Sequence, residues 1–303
     1  MTAHRVDIAL PAGYQPRYAL AFHGRDAGQV AERVDTEGSD GTWARIRKGV
    51  LLQGVPVQLE IVLGDELAAC TIDAGGDTIP AAAHDALVNM LGLRIDPAPF
   101  ERAMRGDPLF GPVVRREPGL RVIQSATVFE ALTWAVIGQQ INLPFAIALR
   151  RTFIQQAGRL HPGGLWCYPE APDVARLDIE QLTSRKFSRA KAETLLRLAR
   201  LVADGELSLA RDADLEASSA RLLAVKGIGP WTVNYALLRG YGYPDCSLQG
   251  DVAVRTAIAR LLGSETRPGL AEAEAFLATY RPHRTMAAAY LWASLAQDKE
   301  PQG

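Results

Sequence analysis

Near residue 80 the spacing of apolar residues changes, and that change limits the fold more than any other feature. Before it, Val6-Asp-Ile-Ala-Leu, Thr42-Trp-Ala-Arg-Ile-Arg and Val55 to Leu63 alternate between apolar and polar. Residues two apart share a face of a strand, so this is the pattern of a sheet with one covered face. Parallel strands would read as continuous apolar runs, so the alternation predicts an antiparallel sheet. Turn signals separate the strands at Glu37-Gly-Ser-Asp-Gly41, Gly64-Asp and Ala74-Gly-Gly-Asp77. Helices are expected over Arg25 to Val34 and Ala81 to Leu91, covering one face.

Pro97, Pro99, Pro108, Pro112 and Pro118 then punctuate the chain, and beyond them strand patterns largely vanish. Helical spacing predicts helices over Thr127–Gln140, Pro144–Gln156, Ile179–Leu182 and Arg189–Asp204. It predicts five more over Asp214–Ala224, Trp231–Arg239, Val252–Leu262, Ala271–Tyr280 and Thr285–Gln297. The expectation is an α+β fold: a small antiparallel-sheet domain over residues 1–112, then a larger all-helical domain over 113–303.

Composition removes several classes of function. The 303 residues are 48% hydrophobic and 22% charged, which suits a buried core rather than disorder. No uninterrupted apolar run is long enough to span a bilayer, and Met1 to Val6 does not resemble a signal peptide. A cytoplasmic, membrane-free protein is expected. Cys70, Cys167 and Cys246 are too few and too scattered for a disulfide framework or a metal cluster. With 33 basic and 34 acidic residues, the net charge of -1 disfavours holding nucleic acid by bulk electrostatics.

The stretch from Arg221 to Arg260 departs from that average. It carries Arg221, Lys226, Arg239, Arg255 and Arg260 against Asp245 and Asp251, a net of +3. Within it, Leu222-Leu-Ala-Val-Lys-Gly-Ile-Gly-Pro-Trp-Thr reads as a helix end, a tight turn at Gly227 and Gly229, and a new helix opened by Pro230. Glycine permits close backbone approach, and a helix start offers unpaired N–H groups to an anion such as a phosphate. Lys226 and the Thr232 hydroxyl are candidate further donors, and Arg255 could reach either a phosphate or Asp251. Gly-Ile-Gly by itself also fits an ordinary helical hairpin.

The wider pattern resembles the helix–hairpin–helix DNA glycosylase superfamily. The hairpin Leu223-Ala-Val-Lys-Gly-Ile-Gly-Pro-Trp-Thr is followed by the loop Gly240-Tyr-Gly-Tyr-Pro-Asp-Cys-Ser-Leu-Gln-Gly and then Asp251, twenty-two residues after Gly229. Gly227 to Gly240, Phe129-Glu, Ile137-Gly-Gln-Gln-Ile, Met90-Leu-Gly-Leu-Arg-Ile-Asp-Pro and Arg284 to Trp292 are similar to the 3-methyladenine DNA glycosylase II (AlkA type) branch. The likeness covers essentially the whole chain.

The resemblance implies residue roles. Asp251 falls at the family's catalytic aspartate, although by position alone it could simply cap the helix from Val252. Trp231 and Tyr235, four apart on one helix, and Trp292 fall at base-pocket aromatics, although their spacing alone also fits core packing. Gln140 falls where the family places the wedge that fills the gap of a flipped base. Backbone carbonyls of Leu223, Val225 and Ile228 are candidates to hold a sodium or potassium ion, and no cofactor is required. Similar bifunctional glycosylase/lyases have a nucleophilic lysine where this chain has Trp231.

The function implied is that of a monofunctional DNA glycosylase, a monomer acting in base excision repair. It would hydrolyse the N-glycosidic bond of flipped-out alkylated bases, of the 3-methyladenine and 7-methylguanine type, in double-stranded DNA. One alternative is a non-catalytic lesion-sensing DNA-binding module. The other is a glycosylase for deaminated bases.

Overall fold

A computed structural model describes residues 2–37, 43–74 and 80–296. Five strands, β1 (Thr2–Ala9), β2 (Glu32–Glu37), β3 (Trp43–Leu52), β4 (Val55–Leu63) and β5 (Leu67–Ala74), make one antiparallel sheet. Their order is β1-β5-β4-β3-β2, and α1 (Pro16–His23) connects β1 to β2. The sheet is followed by α2 (Pro80–Met90), α3 (Ala98–Met104), α4 (Phe110–Arg116), α5 (Val128–Gly138) and α6 (Leu143–Ala157). Two short strands, β6 (Arg159–Leu160) and β7 (Trp166–Cys167), precede α7 (Ala171–Ala175), α8 (Ile179–Thr183), α9 (Arg189–Ala203) and α10 (Leu215–Ala224). The chain ends in α11 (Pro230–Ala236), a π turn over Leu237–Tyr241, α12 (Val252–Leu261), α13 (Leu270–Ala278) and α14 (Arg284–Ala296).

The expected antiparallel sheet followed by helices is the observed architecture. Alternation sets its register: Ile46, Ile61 and Cys70 lie side by side on the buried face, as do Val50, Val57 and Ala74. The expected helix over Arg25–Val34 does not form. The Asp26 carboxylate accepts the Gly28 N–H at 2.9 Å, Gln29 takes a φ of 49°, and Glu32 begins β2 opposite Lys48. This side-chain turn and the cross-strand pairing override helical spacing. The turns expected over 38–41 and 75–77 lie outside the described residues.

The helical half is not wholly helical. β6 and β7 pair with each other, and the chain after β7 attaches to β3 through Leu51 N–H to Tyr168 O (2.9 Å) and Tyr168 N–H to Gly49 O (3.0 Å). Two apolar cores result. One joins the sheet to α2, α5, α6 and α9; the other joins α3 and α4 to α12, α13 and α14. Residues from both sides of position 112 enter each core, for example Ile46 with Phe153, and Phe110 with Tyr290.

A buried ionic cluster fastens the sheet to the helices. Lys48 occupies a core-facing position of β3, where its ammonium bonds Glu32 of β2 and Glu130 of α5, each at 2.8 Å. Arg150 of α6 reaches the same two carboxylates at 3.0 and 2.7 Å. Burial opposes ionisation, yet the two cations hold both carboxyls below the usual range, Glu32 well below. Among the described residues, no helix is long and apolar enough to cross a membrane.

Candidate active site

The hairpin between α10 and α11 is shaped by backbone torsion and by its neighbours. Gly227 has a φ of 98°, and a Cβ there would run into the Thr194 side chain of α9. Gly229 differs: it is the extended N-cap of α11, with open space where a Cβ would lie. Pro230 follows at the first helical position, as expected. The turn's carbonyls are tied inward. Lys226 O accepts from Thr194 Oγ1 and Arg197 Nη1, each at 3.2 Å, and Gly227 O accepts from Gln139 Nε2 at 3.0 Å.

Lys226 and Gly227 are exposed and Gly229 is partly so, leaving the turn accessible to a large ligand. Thr232 corrects an expectation. It is 1% exposed, and its hydroxyl accepts from Gln139 Nε2 at 3.0 Å, so it faces the protein rather than a phosphate. Of the carbonyls considered for a cation, that of Val225 already accepts Ile228 N–H at 2.9 Å inside the turn.

Past the hairpin, α11 carries Trp231 and Tyr235 on one side, with ring centres 5.3 Å apart and planes at 33°. The loop to α12 is pinned to the start of α14. Arg284 grips the Asp245 carboxylate at 2.8 and 2.9 Å, and Cys246 N–H donates to Thr285 Oγ1 at 2.9 Å. This brings α14, and with it Trp292, beside Asp251.

Of the two roles that the sequence left open for Asp251, the helix cap is seen directly: its Oδ1 accepts Val254 N–H at 2.9 Å at the start of α12. The same carboxylate is clamped by two indoles: Trp231 Nε1 donates to Oδ2 at 3.0 Å and Trp292 Nε1 to Oδ1 at 3.1 Å. The donors are neutral, so the carboxylate is oriented without being neutralised. Arg255 does not intervene, because its Nε donates to Pro268 O at 2.7 Å.

A cavity of about 320 Å³ opens next to Trp292, lined also by Tyr18, Leu120, Arg121, Val122 and Arg239. Arg239 entered the sequence reading only as one charge of the +3 stretch, and Phe22 not at all. Arg239 arrives through the π turn that replaces the end of the expected Trp231–Arg239 helix, and Phe22 comes from α1, far away in sequence. No local signal links them.

Gln140 stands at the tip between α5 and α6, exposed, with a φ of 55° that side chains other than glycine seldom adopt. Beneath it, Gln139 holds the hairpin and Lys191 Nζ donates to Ile137 O at 2.7 Å. The two glutamines thus divide the work: one braces, the other projects.

With this geometry in view, comparisons define the class. Residues 133–282 match the HhH-GPD superfamily of base excision DNA repair proteins. A DNA-3-methyladenine glycosylase of Bacillus subtilis is 34% identical over 202 residues, covering 65% of this chain and 67% of that one. DNA-3-methyladenine glycosylase 2 of Escherichia coli is 28% identical over 179 residues, covering 58% and 60%. The match therefore spans about two thirds of these curated relatives or somewhat less. In fold, the 3-methyladenine DNA-glycosylase from Archaeoglobus fulgidus superposes with a TM-score of 0.80 at 22% identity, covering 97% of this chain and 99% of that one. The chain belongs to the HhH-GPD superfamily, on the branch of the DNA-3-methyladenine glycosylases.

Proposed function

We propose that this chain is a monofunctional DNA glycosylase of base excision repair. It acts as a monomer on double-stranded DNA and hydrolyses the N-glycosidic bond of a flipped-out alkylated base. The observation that carries this reading is Asp251, fixed by two indole N–H groups at 3.0 and 3.1 Å, one of them from Trp292, which with Tyr18 lines the neighbouring cavity. Departure of a base leaves an oxocarbenium-like sugar, and an anion oriented by neutral donors can stabilise that charge as it develops. The same carboxylate orients the attacking water, whose hydroxide goes to C1′ while its proton leaves through Asp251.

The aromatic rings give an unstacked base a surface on which to lie. Exposed Lys226 and the hairpin's outward N–H groups would hold the DNA backbone without reading sequence, and Gln140 would fill the emptied position in the duplex. A monovalent cation on the hairpin carbonyls would add to that grip on phosphate. A Schizosaccharomyces pombe 3-methyladenine DNA glycosylase has been solved with abasic DNA; it is 24% identical to this chain, which supports a related use of this fold.

With Trp231 in the place of a nucleophilic lysine, no Schiff base should form. Incubation with methylated duplex DNA should release free alkylated base and leave intact abasic strands. Borohydride should trap no enzyme–DNA adduct. A trapped adduct, or tight binding to alkylated DNA without base release, would contradict the proposal.

A further inference from the structure

A groove that the hydrolysis above does not use follows Gln140 along the chain. Its volume is about 410 Å³, with Phe145, Ala148 and Leu149 of α6 on one side and Arg185 and Lys186, which follow α8, on the other. Among the described residues no carboxylate lines it, and neither cation makes an ion pair. Both cations are exposed, and so are Leu143 and Phe145, at 58% and 37%. An apolar wall facing two unpaired cations suits a polyanion that also has apolar faces. The sugar–phosphate backbone of DNA is such a ligand.

Both walls of the groove are braced against the hairpin. Asn142 caps α6 by accepting Phe145 N–H at 3.0 Å, and Pro144 stiffens the first turn. Ile141 packs against the core, so Gln140 and Leu143 project. Across the groove, Ser188 caps α9 by accepting Lys191 N–H at 3.3 Å, and Lys191 Nζ holds the end of α5 through Ile137 O. Farther along α9, Thr194 and Arg197 hold the hairpin through Lys226 O. From Ser188 to Thr194 the helix rises about 9 Å, which sets the spacing between groove and hairpin. Lys186 has a φ of 71° and Gln140 one of 55°, torsions that glycine adopts more readily. Strain of this kind persists where the surrounding fold imposes it, and the side chains that bear it here are exposed on neighbouring tips.

We propose that this groove holds the backbone of the strand opposite the flipped base, with phosphates on Arg185 and Lys186 and a deoxyribose against Phe145. The inference rests on the glycosylase reading above. In that reading the hairpin, braced by Gln139, takes the strand that carries the lesion, and Gln140 enters the space that the base leaves. A side chain inserted between base pairs kinks the duplex, and the kink brings the other strand onto the groove. A straight, undamaged duplex resting on the hairpin does not reach it. The groove therefore favours the opened, bent form of the DNA and adds nothing to the grip on undamaged duplex.

The experiment measures affinity against salt for an undamaged duplex and for one with a central abasic site, using the wild type and the double variant Arg185→Gln, Lys186→Gly. Glycine relieves the torsion at position 186, so the variant should melt no lower than the wild type. On abasic-site duplex it should bind about tenfold more weakly, with a log–log salt slope shallower by about 2, while undamaged duplex changes by less than about twofold. Uncharged methylphosphonate linkages in the strand opposite the abasic site should reproduce that loss in the wild type and add little to the variant's. Phe145→Ala should weaken abasic-site binding about fivefold at an unchanged slope. Equal affinity and slope for variant and wild type on abasic-site duplex would overturn the inference, as would an equal loss on both duplexes. Release of 7-methylguanine by the wild type is measured alongside, and its absence would overturn the glycosylase reading instead.

Discussion

Asp251 gathers three donors on two oxygens, and each came from a different kind of sequence information. The helix cap was legible from one residue's position, since aspartate before Val252 is a common N-cap. Trp231 was placed by helical spacing and by resemblance, and Trp292 by resemblance alone. That both indoles would donate to the carboxylate was not legible, because Trp292 is forty-one residues away and is aimed by Arg284 gripping Asp245. Arg239 was visible only as one charge in a +3 stretch. Its stacking partner Phe22 lies beyond any local pattern, and the residues just after it had suggested a helix that the Asp26 turn prevents. At this scale, Trp292→Phe keeps a stacking ring but removes one hydrogen bond to a charged group. Single-turnover base release should fall about tenfold or more, with binding of abasic-site DNA nearly unchanged.

Among the elements, the helices expected in the second half were placed within a few residues, because their apolar spacing is strong and their caps are chemically explicit, whereas the short α7 was not anticipated. Thr127, Ser188 and Asp214 each accept a first-turn N–H, as such residues do at helix starts. β2 was misread because a short edge strand gains its identity from its partner. Lys48 continues the inward face of β3, where it meets Glu32 and Glu130. Lys48→Met should leave those buried carboxylates undercompensated and destabilise the fold by about 3–5 kcal/mol at neutral pH, measured by urea unfolding. The two carboxyls have lowered pKa values, so the stability they contribute is present above the ordinary carboxyl range, about 4.3, and is lost as the pH falls below it. The gap between wild type and Lys48→Met should therefore narrow in acid. A gap that widens would contradict this account.

For the whole molecule, a net charge of -1 limits how tightly undamaged DNA can be held, without excluding DNA as a partner. The hairpin offers backbone N–H groups, which bind phosphate without adding net charge, and the local excess around it is only +3. Few cationic contacts release few counterions. The logarithm of affinity for undamaged duplex should fall against the logarithm of salt with a slope of about -3. A slope of about -8 would mean a much larger basic footprint than the hairpin surface provides. The sheet contributes to the site as well, since β2 and β3 anchor α5, whose end carries Gln139 and Gln140. Residues from both sides of position 112 share each core, and packing of that kind leaves no periodic trace in the sequence.

The central claim is that Asp251 performs the hydrolysis, and Asp251→Asn tests it most directly. Asparagine also caps helices well, so the variant should fold with a melting temperature close to that of the wild type. Single-turnover release of 7-methylguanine from duplex DNA should then fall about a thousandfold. Release within about twofold of the wild type, from a variant that melts normally, would show that the anion at this position is not what breaks the bond.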